Sequence, residues 1–335
     1  MNIRCQQIHF DHAGGPDVLY LAEGEIPAPA PQQVMIKVSY AGVNGPDLAQ
    51  RKGLYPPPPG ASAILGLEVS GTIVAVGESV AQWQVGDTVC ALVPGGGYSE
   101  YVMTWAEHCL PIPTGLSLAQ AAALPETFFT LWGHLFMRGG LSAGDTLLLH
   151  GGSGGIGSAA IVLAKQFGVT VIVTSGSQQK CAYCLALGAD YAFDYHTDWL
   201  QQVLAVAPEG VDIVLDMASG DMINLNLKAL AEEGRLVTIA LLRGATANVD
   251  VFRLMAKRIT WTGATLRPQS VETKALIAKG LKQQVWPLFA TTAGQSITPT
   301  LFAEFLLADA AQAHRLMESG QHRGKLVLKV AEDAL

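Results

Sequence analysis

The sequence is poor in charge and in aromatic rings, and no stretch of it is rich in charge of one sign. Charged residues make up 15% and aromatics 7% of the 335 residues, and the net charge is −7 with acids and bases interspersed. Without a Lys/Arg cluster there is no electrostatic footprint for a phosphate backbone, so nucleic acid is not expected as a partner. Five cysteines at irregular positions make no disulfide framework and suit a reducing compartment. The longest apolar runs, around Leu147 and Ile213, are of strand length and fall short of the ~20 residues a membrane helix needs. No membrane partner is expected. The run Met1, Asn2, Ile3, Arg4 enters alternating strand-like sequence directly, without the apolar stretch of a secretory signal, and a cytoplasmic location is the expectation. Paired carboxylates are also missing, and the one Gly-x-Ser-x-Gly string, Gly151 to Gly155, is part of a longer glycine-rich turn, so hydrolase chemistry finds little support.

What is present is a large apolar fraction, 50% of the residues, enough to bury the cores of two ordinary domains. Residues 1–120 read as short strands between Gly and Pro, among them Val34 to Tyr40, Glu68 to Val76 and Thr88 to Leu92. Over residues 121–265 apolar strands alternate with amphipathic helices, the pattern of a parallel sheet covered on both faces. Six strands are expected there: Thr146 to His150, Val169 to Thr174, Tyr191 to Tyr195, Val211 to Asp216, Arg235 to Ala240 and Ile259 to Gly263. The fold class is therefore α/β, a β-rich domain plus a doubly wound one. Residues 266–335 contain helical pieces and end in a strand, Lys325 to Val330, which is expected to return to the first domain. Cys181 and Cys184 form a lone Cys-x-x-Cys in helical sequence and read as helix packing.

The segment HGGSGGIG carries Gly-x-Gly-x-x-Gly at Gly152, Gly154 and Gly157, between the strand ending at His150 and a helix from about Ile156 to Phe167. Glycines there let the backbone approach a pyrophosphate, and the free amides of the helix start meet its charge. The turn from Gly152 through Ser153, Gly154, Gly155 and Ile156 to Gly157 is thus a dinucleotide site. Its cofactor is read at the end of the second strand, where a carboxylate would hold the ribose 2′-hydroxyl of NAD. None is there. Thr174 to Lys180 supplies hydroxyls and a cation instead, so Ser175, Ser177 and Lys180 point to a 2′-phosphate and to NADPH. The plainer alternative is that Ser177 caps the next helix and Lys180 is a surface cation. His150, ending a buried strand, reads as a satisfied core side chain.

With these residues goes a wider resemblance. AGVNGPDLAQRKGLYPPPPGA from Ala41 to Ala61, GLEVSGTIVAVG from Gly66 to Gly77, VGDTV from Val85 to Val89, HGGSGGIG and TSGSQQK from Thr174 to Lys180 resemble the zinc-independent quinone oxidoreductases of the medium-chain dehydrogenase/reductase superfamily, the p53-inducible quinone oxidoreductase-like branch included. The resemblance implies a GroES-like β-domain, a Rossmann domain with a six-stranded parallel sheet, and a homodimer joined along Ile259 to Gly263. It places Asn44 and Tyr55 near the nicotinamide as candidate catalytic groups, Thr130 beside the cofactor, and Tyr195 beside the 2′-phosphate. Leu241, Leu266 and Arg267 follow the fifth and sixth strands, where ligands gather in open sheets, and are assigned to the cofactor as well.

Zinc-dependent relatives present Cys, His and Cys where this chain, aligned by motif, has Asn44, Leu67 and Glu126. An amide, a hydrocarbon and one carboxylate make no soft three-ligand site, so no metal is expected. The four-cysteine lobe of those relatives is reduced to a glycine loop near Gly95 to Tyr98. Without a Lewis acid, alcohol oxidation loses its means of forming an alkoxide, whereas hydride donation to a quinone or enone needs alignment and a polarising donor. The expected activity is NADPH-dependent, metal-free reduction of quinones or α,β-unsaturated carbonyl compounds. The alternatives are a non-catalytic NADPH-binding protein of the crystallin kind and an NAD(P)-dependent alcohol dehydrogenase.

Overall fold

The computed structural model describes residues 2–290 and 297–330. The chain divides into two compact units, Met1–Phe129 with Arg267–Leu335, and Thr130–Leu266.

In the first unit the backbone of the fold is the long strand Gln33–Val43, which pairs antiparallel with Glu68–Val76, Tyr101–Trp105 and Lys325–Lys329. Neighbours on both edges and apolar cover on its faces explain why Val34, Ile36, Val38, Ala41 and Val43 are all buried. The last strand joins by Leu326 opposite Val43 and Lys329 opposite Tyr40, so the C-terminal segment completes this sheet. That register sets Lys325 at the end of Gln33–Val43 where the chain turns into the helix Gly45–Arg51. Asn44 begins that helix. The Asp47 carboxylate accepts its backbone N–H at 2.9 Å, closing the first turn.

The second unit is a six-stranded parallel sheet in the order Tyr191–Asp194, Thr170–Ser175, Thr146–His150, Val211–Asp216, Leu230–Thr238, Thr260–Gly263. This is the doubly wound order with the switch point beside the first strand. Thr146–His150 and Val211–Asp216 run as expected, because continuous aliphatic runs covered on both faces have sharp ends. The fifth strand differs. It starts at Leu230 rather than Arg235, since Val211 pairs with Leu230 and Ile213 with Arg235, so the residues between bulge out, Glu233 at φ 59°. It ends at Thr238, where the Ile239 amide turns to the Asp216 carbonyl at 2.9 Å. Among the described residues no helix is long and apolar enough to cross a membrane.

Candidate active site

In the second unit the site is built on the switch point. Gly151 and Gly152 both donate their amides to the Thr174 carbonyl, at 3.0 and 3.1 Å, pinning the glycine turn to the end of the second strand. The helix Gly155–Gln166 starts at Gly154 with no side chain capping its first turn, so its leading amides stay available to an anion. Gly157 is where this helix meets the turn. A Cβ there would lie 2.3 Å from the Gly151 carbonyl oxygen and 2.6 Å from the Gly152 Cα.

His150 is bonded at both ring nitrogens, Nδ1 to Thr174 Oγ1 at 2.8 Å and Nε2 to Asn226 Oδ1 at 2.7 Å. Burial lowers its pKa against the opposing effects of the Asn226 bond and the Asp216 charge, which makes it a neutral structural group.

At the end of the second strand Ser175 is buried, Ser177 and Lys180 are half-buried, and the Tyr195 amide donates to the Ser175 carbonyl at 3.0 Å. Tyr195 stands directly over Gly176: a Cβ on Gly176 would meet the Tyr195 hydroxyl at 2.4 Å. The Tyr195 phenol thus occupies the space beside Gly176 at the end of the second strand. Ser177 does cap the helix Gln178–Ala186, its Oγ accepting from the Lys180 amide at 3.3 Å. That bond uses a lone pair and leaves the hydroxyl proton for a second acceptor. Arg243 was missed by sequence reasoning, because no motif or spacing links it to this corner. Its guanidinium is clamped by both Asp221 oxygens at 2.6 Å, which raises its pKa, and Tyr195 adds to the rise. Leu241 is exposed after the fifth strand, Leu266 is buried after the sixth, and Thr130 is buried at the end of the helix Pro125–Thr130.

The first unit holds a buried polar cluster. Asn44 Nδ2 donates to Glu68 Oε1 at 2.8 Å, and the Lys325 ammonium donates to Asn44 Oδ1 at 2.5 Å and to Glu68 Oε1 at 2.6 Å. The other oxygen of Glu68 accepts the Glu126 amide at 2.9 Å. Asp47 accepts from the Gly66 amide at 3.0 Å and the Tyr98 hydroxyl at 3.3 Å, and burial pushes its carboxyl up to about 6. Burial, then repulsion from Glu68, pushes the Glu126 carboxyl up to about 8. Arg267 belongs to this unit: Nε donates to the Pro94 carbonyl at 2.9 Å and Nη1 to Gln50 Oε1 at 2.6 Å. Tyr55 lies half-buried at the head of the proline run, close enough to raise the Arg267 pKa against the larger effect of burial.

Comparison with known proteins agrees with this arrangement. Residues 30–114 match the alcohol dehydrogenase GroES-like domain and residues 155–279 the zinc-binding dehydrogenase family. The chain is 32% identical to the quinone oxidoreductase of Mus musculus over 94% of its own length and 95% of that protein's. The chain belongs to the quinone oxidoreductase family of the medium-chain dehydrogenase/reductase superfamily. Its structure superimposes on Escherichia coli quinone oxidoreductase complexed with NADPH with a TM-score of 0.83 at 26% identity, covering 97% of this chain and 100% of that one. The CurK enoyl reductase gives a TM-score of 0.84 at 28% identity, covering 98% and 99%.

The family description that matches the second half names zinc, and the residues of this quinone oxidoreductase-like chain do not fit that ion. Asn44 Oδ1 and Glu68 Oε1 are already taken by the Lys325 ammonium, Leu67 is a buried hydrocarbon, and among the described residues no group of three His, Cys, Asp or Glu side chains is placed to hold a metal. A nicotinamide cofactor does fit, since the glycine turn leaves backbone and uncapped amides where a pyrophosphate binds. Sequence reasoning found Asn44 but missed Glu68 and Lys325 as its partners. Lys325 lies 281 residues away, brought in only by strand pairing.

Proposed function

We propose that this protein is an NADPH-dependent reductase of quinones or α,β-unsaturated carbonyl compounds that works without a metal. The observation that carries the reading is the Lys325 ammonium lodged between Asn44 and Glu68, a fixed protein cation bonded to the one polar atom that Asn44 could offer a metal. The bound cofactor would supply a hydride, and such acceptors take it without prior activation by a Lewis acid. The names of two relatives support the same chemistry, a quinone oxidoreductase complexed with NADPH and an enoyl reductase.

The choice of NADPH rests on Ser177, Lys180 and Tyr195 around Gly176, where no carboxylate stands at the end of the second strand. Lys180→Ala is expected to weaken NADPH binding roughly 10- to 100-fold, the worth of a charge-assisted hydrogen bond, and to leave NADH binding unchanged. Fluorescence titration with both cofactors checks this; equal losses for the two would remove the 2′-phosphate assignment. We also assign the edge strand Thr260–Gly263, with Trp261 exposed on it, to contact with a second copy of the chain. All five cysteines are free and buried, in keeping with a reducing compartment such as the cytoplasm.

The test of activity is steady-state oxidation of NADPH against a panel of quinones and enones. Turnover with members of the panel is the expected result. Binding that raises the melting temperature with no turnover across the panel would instead favour a non-catalytic NADPH-binding protein.

A further inference from the structure

Two of the residues singled out from the sequence, Asn44 and Arg267, lie in the neighbourhood of Glu126, a residue that stands at a vacated metal position. Asn44 reaches Glu126 through one shared partner, Glu68, whose two oxygens accept from the Asn44 amide and the Glu126 backbone at 2.8 and 2.9 Å. Arg267 is within electrostatic range of both Tyr55 and Glu126, and Glu126 in turn acts on Lys274, which holds the Arg267 carbonyl at 2.7 Å. The Arg267 guanidinium is buried, and its Nη2 has no acceptor among the described residues. A buried donor of this kind is ordinarily completed by water or a bound group, and it contributes to a polar wall beside Glu126.

Within this wall the two glutamates are treated differently. Glu68 is fully buried, bonded to the Lys325 ammonium and supplied with two further donors, so its negative charge is compensated. Glu126 is 7% exposed, its carboxyl accepts no hydrogen bond and makes no ion pair among the described residues, and it faces Glu68 and Asp47. The cations around it are Lys325, already shared by Asn44 and Glu68, with Lys274 and Arg267, both partly spent on backbone carbonyls. Desolvation and the Glu68 charge outweigh them and favour the neutral acid.

We infer that Glu126 is the proton donor of the reduction, a Brønsted acid standing where zinc-dependent relatives present a metal ligand. The inference rests on the reductase reading above. Two electrons reach the acceptor as hydride at the β-carbon of an enone, and the negative charge that develops passes to its oxygen. The Glu126 O–H bond then breaks, a C–H bond forms at the α-carbon, and the carboxylate left behind is reprotonated by water. A quinone needs this step less, because its reduced oxygens take protons directly from water.

Glu126→Gln preserves the shape of the neutral acid but has no proton to give. The expected result is an enone kcat reduced about 100-fold, the usual weight of a positioned acid, with quinone turnover reduced far less and NADPH affinity unchanged. The wild-type enone kcat should fall above pH 8, the limb following the value near 8 reached by this carboxyl, and the limb should vanish in the variant. Infrared difference spectra of the cofactor-free protein at pH 7 give a readout independent of turnover: a protonated carboxyl band present in wild type and absent in Glu126→Gln. An ionised Glu126 in those spectra, or an enone kcat and pH profile unchanged in the variant, overturns the inference while leaving the reductase reading intact. A wild-type protein that reduces neither enones nor quinones overturns the reading, and the proton step with it.

Discussion

Gly157→Val should abolish binding of the nicotinamide cofactor, the largest functional effect expected of any single substitution in the second unit. The contacts awaiting a side chain at Gly157 are all backbone: the Gly151 oxygen at 2.3 Å, the Gly152 Cα at 2.6 Å and the Gly152 carbonyl carbon at 2.7 Å. None of them can rotate out of the way. The turn cannot withdraw either, because Gly151 and Gly152 are both bonded to the Thr174 carbonyl. The helix Gly155–Gln166 must therefore move, and its uncapped amides leave the position that a pyrophosphate requires. Overpacking of this kind costs about 1–3 kcal/mol of stability, which a chain with a core of this size survives. The affinity loss should exceed ~100-fold, several bonds to one charged group being lost together. Titration of NADPH by fluorescence, with circular dichroism to confirm folding, checks it. A folded Gly157→Val protein that binds NADPH within about threefold of wild type would show that the phosphate lies elsewhere.

The parts of this fold that were legible in the sequence are those fixed by neighbours in the chain. The strand Thr146–His150 and the glycine turn could be read because aliphatic residues covered on both faces, glycines and a following helix all lie within about thirty residues, the length of one βαβ unit. The beginning of the fifth strand could not, because the bulge after Leu230 is set by the partner strand Val211–Asp216 and nothing in the residues 231–234 announces it. The same divide runs through the site. Asn44 stands out in its motif, yet the groups that bond it come from Glu68 and Lys325 on two other strands, and Glu126 becomes unusual only once it is buried next to Glu68. A pKa raised by a neighbouring charge depends on a distance, and no spacing rule supplies that distance across a sheet. Arg243 beside Tyr195 belongs with these, since two loops of the same sheet bring them near each other.

Lys325→Met should destabilise the first unit by about 3–5 kcal/mol, the cost of leaving a buried charge without its partner. Glu68 has no exposed surface, and the ammonium at 2.6 Å is the cation bonded to it. Methionine fills the volume and keeps the chain apolar, so the loss reports charge rather than a cavity. Asn44 loses its bond to the same ammonium and would retain its own amide bond to Glu68. Because the chain has two compact units, a single melting temperature is a poor measure, and hydrogen exchange resolved along the sequence is the better one. Protection should fall in Gln33–Val43 and Lys325–Lys329, which pair with each other, and persist in Thr146–His150. Adding Glu68→Gln should recover most of the loss, since the double variant buries two neutral groups, and the coupling between the substitutions should be favourable by at least ~2 kcal/mol. If Lys325→Met alone matches wild type in exchange, Glu68 does not carry a buried charge. The repulsion that adds to burial in holding Glu126 neutral then disappears, while burial, the larger cause, remains.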